Sequence, residues 1–377
     1  VKELNSSRAD FWREGLSRWG PLVALLILVA ITGYLQPAFL STENLVNILR
    51  QQSFVGLLAI GMTVVIIAGG IDLSVGALMA LSGGVGIWVM NTAIGAAAIL
   101  SENKSARARH AEDLQIGINA PLDLPYSTIR ENLASLFTHL GLSASETRGL
   151  LLAILATLLV ALAAGVLNGL LITKGRLAPF IATLGGLAAY RSLTLALADG
   201  GEFRAQGASF SALAKDVGFA HVAIPAPVIV FAFAAVIVAV MLGHTRFGRY
   251  VYAVGNNERA AVYSAINVDW VKLRVYILMG LLVGVAACLN ASRMNSVASS
   301  STGLAAELDA IAAVVIGGTR MQGGAGRISG TVIGVLMLGV VAKMLNFLNV
   351  SPYLQGTVQG GIIIAAVLLQ SAGRRSR

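Results

Sequence analysis

The chain has little of almost everything that soluble catalysis uses. Of its 377 residues only 12% are charged, four are histidine and one is cysteine. A lone cysteine, Cys288, excludes a disulfide within the chain and any cysteine-based metal site. His110, His139, His221 and His244 are scattered without zinc-ligand spacing. No His-Glu-x-x-His and no nucleophile elbow occurs, so neither a metal nor a catalytic residue is assigned. The glycine-rich run Gly317 to Arg327 lacks the Gly-Lys-Ser/Thr of a nucleotide cradle. A close-packed turn accounts for it better, and no cofactor is expected.

What remains is apolar. Hydrophobic residues make up 56% of the chain and the mean hydropathy is +0.78. Soluble chains carry about 25% charged residues, and a spanning helix needs roughly 20 apolar residues. The composition therefore predicts an all-α, polytopic integral membrane protein of about ten transmembrane helices, some interrupted or re-entrant, set in a lipid bilayer. The net charge of +9 invites a nucleic-acid reading. Lys and Arg sit in alternate short loops, however, so the positive-inside bias explains the charge and no nucleic-acid partner is expected.

Taken in order, residues 1–19 read as a cytoplasmic stretch lying in the interface, with Phe11, Trp12 and Trp19 among Lys2, Arg8, Arg13 and Arg18. Residues 20–90 hold helices one to three: the first about Gly20–Gln36, closed by Pro37, then a capped start at Ser41 to Asn44 leading through an amphipathic turn into the second, about Gln52–Ala68, with a break at Gly69 to Gly76. Residues 91–148 are an outside excursion. In it Thr128 to Glu131 has capping-box spacing, and Leu133, Leu136, Phe137 and Leu140 share a helical face. Residues 149–243 carry helices four to six with an outside loop at 199–222. A cytoplasmic island occupies 244–270, helices seven to ten 271–370, and a cytoplasmic tail 371–377. The apolar segment from Glu307 to Gly318 is short for a straight span, so it is tilted, broken or re-entrant. Val64–Gly70 (VVIIAGG) and Val314–Gly318 (VVIGG) both end apolar runs at paired glycines. Duplicated transporter halves leave such traces, and so does chance similarity of apolar text.

The island is the most charged interruption of the second half. Asn256 or Asn257 caps a short helix, with Glu258 in the first turn where the helix dipole favours an acid. Ala260, Ala261, Ser264 and Ala265 keep one side small, while Val262, Tyr263 and Ile266 offer a modest apolar face. Such a helix suits a groove on another protein, with an ordinary solvated loop as the plain alternative. Inside the membrane, Asp72 sits at a glycine-marked break, where an acid costs about 2.5–3.5 kcal/mol on insertion scales. Either it caps helix three with Ser74, or the two line a pathway. Arg191, beside Tyr190 and Thr194, either donates to hydroxyls or backbone carbonyls or pairs with Asp72, Glu307 or Asp309 for packing. Glu307 and Asp309 gather with Asn290, Arg293 and Asn295 near the predicted outer mouth, as a polar vestibule or a mere rim. The pathway candidates are thus Asp72, Ser74, Arg191, Asn290, Glu307 and Asp309.

Five stretches carry a resemblance: NLVNILRQQS (44–53), AIGMTVVIIAGGIDLSVGALMAL (59–81), TKGRLAPFIATLGG (173–186), TRFGRYVYAVGNNERAAVYSAIN (245–267) and ELDAIAAVVIGGTRMQGGAGRISGTVIG (307–334). In this order the chain resembles the membrane permease of bacterial ATP-binding-cassette (ABC) sugar importers, the branch serving ribose, xylose and related monosaccharides. The resemblance covers nearly everything outside 99–148. It implies a type II-like importer permease in the bacterial inner membrane, working as a homodimer. Its partners would be a cytoplasmic ATPase, which holds the ATP chemistry, and an extracytoplasmic sugar-binding protein. The permease itself would not be an enzyme. The resemblance also gives Asn256, Asn257, Glu258, Arg259, Ala260, Ala261, Tyr263 and Ile266 the role of an ATPase-coupling helix. Two features depart from the family: the long 99–148 loop, and Arg320 with Met321, where relatives often carry Ser and a small or apolar residue. The alternatives are a permease for another small polar ligand (an autoinducer, polyol or nucleoside) and an ion-coupled carrier.

Overall fold

A short apolar helix, α1 (Leu22–Leu35), leads to a 3-10 turn at Pro37–Leu40 that buries Phe39. Ser41 then caps α2 (Thr42–Ile67), its hydroxyl accepting from the Asn44 amide at 3.3 Å. The sequence reading places this capped start at Ser41 to Asn44 but sets an amphipathic turn between it and a helix at about Gln52–Ala68. No breaker separates Thr42 from Ile67, so the amphipathic turn and the apolar run fuse into one helix. The computed structural model describes residues 22–96, 125–140, 145–206, 209–219, 222–351, 354–358 and 360–361. The expected interfacial stretch 1–19, much of 91–148, most of helix ten and the tail 371–377 lie outside the described residues.

Beyond the break come α3 (Val75–Ile94) and then α4 (Pro125–His139). Phe137 and Ala134 of α4 are buried while Leu136 and Leu140 are exposed, a narrower packed face than the leucine pattern predicts. Thr128 lies inside α4 rather than at its start. Next come α5 (Glu146–Thr173) and α6 (Pro179–Leu197), then α7 (Ala226–His244), α8 (Arg246–Asn256) and α9 (Glu258–Tyr263). The chain continues through α10 (Val268–Met294), α11 (Ala306–Ile316) and α12 (Ile328–Phe347). Among the described residues seven helices are long and apolar enough to cross a membrane: α2, α3, α5, α6, α7, α10 and α12. With 11 residues, α11 is about 16 Å long, half the roughly 30 Å hydrocarbon core.

Small residues decide the packing. Lipid is as apolar as leucine, so helices in a bilayer associate where backbones can approach. Gly165 of α5 and Gly280 of α10 face each other so closely that a Cβ on Gly165 would lie 3.1 Å from the Gly280 Cα. Gly86 of α3 backs onto Thr157 of α5, and Gly56 of α2 onto the Phe231 ring of α7. Thr63 and Thr331 join α2 to α12 through their hydroxyls at 2.7 Å. α2, α3 and α10 are accordingly mostly buried, and α5, α6 and α7 turn most of their surface outward.

The bundle has two unlike ends. At one, β1 (Glu202–Arg204) pairs antiparallel with β4 (Ser296–Ala298), Phe203 opposite Val297. Beside it β2 (Asp216–Phe219) and β3 (Val222–Pro225) form a hairpin, tied to α2 by Arg50 and Asp216 at 2.8 Å. The 199–222 stretch, read from sequence as plain loop, thus carries strands and a 3-10 turn at Phe210–Ala214. The opposite end gathers the loop 174–178, α8, α9 and the turn 317–327, with Arg176, Arg249, Arg259, Lys272, Arg320 and Arg327 among them. These are called the ribbon end and the basic end below.

Candidate functional site

The island folds as two helices where one was expected. The Thr245 hydroxyl accepts from the Gly248 amide at 3.1 Å and caps α8, which buries Val251 and Val254. Asn257, rather than Asn256, caps α9, its side chain accepting from the Ala260 amide at 3.0 Å. In the first turn both Glu258 carboxylate oxygens lie 2.8 Å from Lys272 Nζ, which links α9 to α10. Asn256, Arg259 and Ala260 are exposed. Ala261 is buried and Ile266 packs on the central core, so these two sequence candidates hold α9 in place instead of facing outward. The outward tip is Val262, 56% exposed, and Tyr263, 91% exposed. A large aromatic left in water at a helix tip is the kind of side chain that anchors a partner. Beside it a cleft of about 460 Å³ is lined by Thr173, Arg176, Leu177, Glu258, Asp269 and Lys272.

Directly beneath α9 the chain meets itself backbone to backbone. The Gly324 amide donates to the Ile67 carbonyl at 2.9 Å, completing the end of α2 from a distant segment. Gly255, at the end of α8, is wedged against this bond. A Cβ there would strike the Ile67 carbonyl and lie 2.8 Å from Gly324 N. Gly323, at φ +88, would put a Cβ 2.8 Å from the Gly255 carbonyl. The Tyr252 hydroxyl donates to the Gly326 carbonyl at 2.9 Å. Burial pushes its phenol up, against a smaller pull from Arg327, so the proton that makes this bond is held.

The two glycine corners have one geometry. Gly69 (φ +85) and Gly318 (φ +87) follow Ala68 and Gly317, at φ/ψ of −73/−2 and −66/−2. Gly69 N bonds Ile66 O and Gly70 N bonds Val65 O, while Gly318 N bonds Val315 O and Thr319 N bonds Val314 O. Each is a left-handed glycine closing a helix with paired back-bonds.

Asp72 lies in the first corner and is buried with its partners. Its Oδ1 accepts from the Ser74 amide at 2.9 Å and the Ser74 hydroxyl at 2.6 Å. Asn168 of α5 donates to Ser74 Oγ at 3.0 Å, and Tyr190 of α6 donates to Asn168 Oδ1 at 3.1 Å. The carboxylate therefore organises the turn into α3 and ties it to two further helices. None of the four is open to solvent.

Arg191 does not reach Asp72. Its Nη1 donates to the Ser299 and Thr302 carbonyls, both at 2.9 Å, and its charge is felt by Glu307. Glu307 Oε2 is buried without a hydrogen bond, beside Gly76. There α3 and the turn before α11 touch, for a Cβ on Gly76 or on Gly303 (φ +70) would strike the other's carbonyl. Asn290 and Asp309 are half-buried, and among the described residues no hydrogen bond joins them to this group. Asn295 takes a left-handed conformation that ends α10, and Arg293 lies over the Phe54 ring at 5.6 Å. The expected gathering of five polar residues is thus dispersed.

Asn168, Tyr252 and Gly303 were missed as site residues. An asparagine inside the apolar text VLNGLLI was a readable signal, since a buried amide must find partners. Tyr252 and Gly303 gave none, because their roles depend on which distant backbone arrives beside them.

A bundle of apolar helices with interrupted segments and a capped, exposed helix at its basic end is that of a multi-pass transport protein. The chain belongs to the permease family described as branched-chain amino acid transport system / permease component, which it matches over residues 44–367. It is 40% identical over 354 residues to the ribose import permease protein RbsC of Bacillus subtilis, covering 94% of this chain and 92% of that one. It is 34% identical over 362 residues to the D-allose transport system permease protein AlsC of Escherichia coli (96% and 92% covered). It is 32% identical over 413 aligned positions to the xylose transport system permease protein XylH of Haemophilus influenzae (94% and 96% covered). No solved structure matches the chain. The chain is a transporter subunit rather than a catalyst.

Proposed function

We propose that this chain is the membrane permease of an ABC importer in the bacterial inner membrane, forming with a second copy the passage for a monosaccharide. The family's description concerns branched-chain amino acids, whereas the relatives named above carry ribose, allose and xylose in their names. The single observation that carries the sugar reading is this agreement among relatives that align end to end.

In this reading the basic end is cytoplasmic, by the positive-inside bias, and α9 is the piece gripped by a separate ATPase. Tyr263, Val262 and Arg259 make the contact, while Ala261, Ile266 and the Glu258–Lys272 pair keep α9 from moving alone. The ribbon end receives the sugar-binding protein. Asp72, Ser74, Asn168 and Tyr190 shape the break between α2 and α3. Arg191 and Glu307 stand where α3 and the turn before α11 would part to open the passage, with Asn290 and Asp309 nearby on α10 and α11. An ion-coupled carrier would want a relay of acids through the bilayer, and Asp72 is instead engaged locally by Ser74.

The test is uptake of labelled ribose, allose and xylose into proteoliposomes holding the permease with its ATPase and binding protein. At least one sugar should enter in proportion to ATP and be unaffected by an ionophore. Tyr263→Ala should lower recovery of the ATPase with the permease by at least fivefold without lowering membrane insertion. Uptake without the ATPase that an ionophore abolishes would overturn the reading.

A further inference from the structure

The end of α8 and the glycine-rich turn hold close main-chain contacts in the basic end to which the proposed function assigns no part. Gly255 is the penultimate residue of α8, two positions before the Asn257 cap of α9. It touches the Ile67 carbonyl, the last of α2, and the Gly324 amide, in the turn between α11 and α12. Gly323 closes the triangle from the other side, within 3.1 Å of the Gly69 Cα if a Cβ were present. Side chains can hop rotamers and absorb a push, whereas backbones in direct contact cannot. Beyond the junction, α2 leads through the Asp72 turn into α3, and α11 leads back to Glu307. Those two arms meet again at Gly76 and Gly303. A push on α9 thus enters a closed frame with two equivalent glycine corners.

We propose that Gly255, Gly323 and Gly324 form a transmission joint, passing displacement of α9 at once into the α2–α3 and α11–α12 pairs, with Tyr252 as its side-chain brace. The proposal rests on the ABC permease reading and names the residues through which ATPase motion reaches the passage. They are positioning residues and touch no substrate. A Cβ at Gly255 or Gly324 would wedge the joint apart and let α9 move without the frame. Loss of the Tyr252 hydroxyl would loosen the joint without adding bulk.

The experiment uses the complete transporter in proteoliposomes with ribose as the probe. It compares Gly255→Ala, Gly324→Ala and Tyr252→Phe with Gly243→Ala, where a Cβ meets nothing within 4 Å. For each, ATPase recovery with the permease, ATP hydrolysis with and without binding protein, and sugar imported per ATP are measured. The two joint glycine variants should keep the ATPase and its basal hydrolysis within twofold of wild type. Sugar imported per ATP should fall at least tenfold, and stimulation by binding protein should vanish. Tyr252→Phe should lower sugar per ATP two- to fivefold, and Gly243→Ala should match wild type. Unchanged sugar per ATP in the glycine variants would overturn the joint, as would loss of transport in step with loss of the ATPase. If those variants do not reach the membrane, Tyr252→Phe decides, and wild-type sugar per ATP from it overturns the proposal. A wild-type complex showing no ATP-driven uptake of any monosaccharide would instead remove the permease reading, which separates the two failures.

Discussion

The two ends of the bundle are held by different means. At the basic end α2, α8 and the turn before α12 meet through main-chain atoms, with glycine wherever a side chain would intrude. At the ribbon end the links are two-strand pairings and side-chain bonds such as Arg50–Asp216 and Asn91 Nδ2 to the Arg204 carbonyl. Close backbone approach at glycine leaves no room for a side chain, while the short ladders and side-chain bonds of the ribbon end leave room for theirs, some of them exposed and free to change rotamer. On the proposed reading, the difference suits a basic end that passes on the push of an ATPase and a ribbon end that gives way.

The sharpest way to break this comparison is Asp72→Ala, on the stiff side. The Ser74 amide and hydroxyl would lose their shared acceptor in a buried site, and each unsatisfied group costs about 1–3 kcal/mol. Thermal unfolding in detergent should come at clearly lower temperature, with Asp72→Asn, which keeps an acceptor oxygen, losing less. A loss no larger from Ala than from Asn would mean that backbone contacts alone hold the corner. Arg191→Leu probes the middle of the molecule. It removes two charge-assisted bonds to carbonyls, worth at most about 1.5–3 kcal/mol together with the partly exposed charge. The turn at Ser299–Thr302 should then exchange its amide hydrogens faster while α2 and α12 do not, and uniform protection would deny Arg191 its bracing part.

The smallest effect belongs to the ribbon. The Glu202 carboxyl is held below the usual range by hydrogen bonds from Ser296 and Arg204. A depressed carboxylate contributes stability that is fully present above its unfolded pKa and is lost as pH falls through the folded value. Protection of the Phe203 amide should be flat from about pH 7 to pH 5 and fall only below the ordinary carboxylate range, near 4.3. Loosening that begins above pH 5 would assign the ribbon's stability to another group.

Much of this architecture was legible before any coordinates. Pro37 at the close of the first apolar run and the cap at Ser41 located helix ends because proline and caps act locally. Asn257 as a cap and Glu258 in the first turn were readable for the same reason. What could not be read was long-range placement. Ala261 and Ile266 had the right composition for a docking face, but only packing against α10 and the core decides which side of a six-residue helix is outward. Glu258 was readable as a first-turn acid, but its partner Lys272, fourteen positions on, is a tertiary contact. The weak echo of VVIIAGG and VVIGG was no better than chance as text, yet it marks two corners with the same dihedral angles and the same paired bonds. Glycine pairs carry backbone geometry, and hydrophobicity patterns do not register it.

The pairing of Glu202 with Ala298 joins points separated by roughly a hundred residues, and contacts of such sequence separation form late. Between them lie the spanning helices α7 and α10 and, joining these at the basic end, α8 and α9, all of which must be made before the strands can zip. The small clasp at the ribbon end is therefore a completion mark. A chain halted anywhere ahead of Ser296 during synthesis leaves β1 without its partner strand, even though the Phe203 ring already has Gly84 of α3 to rest on.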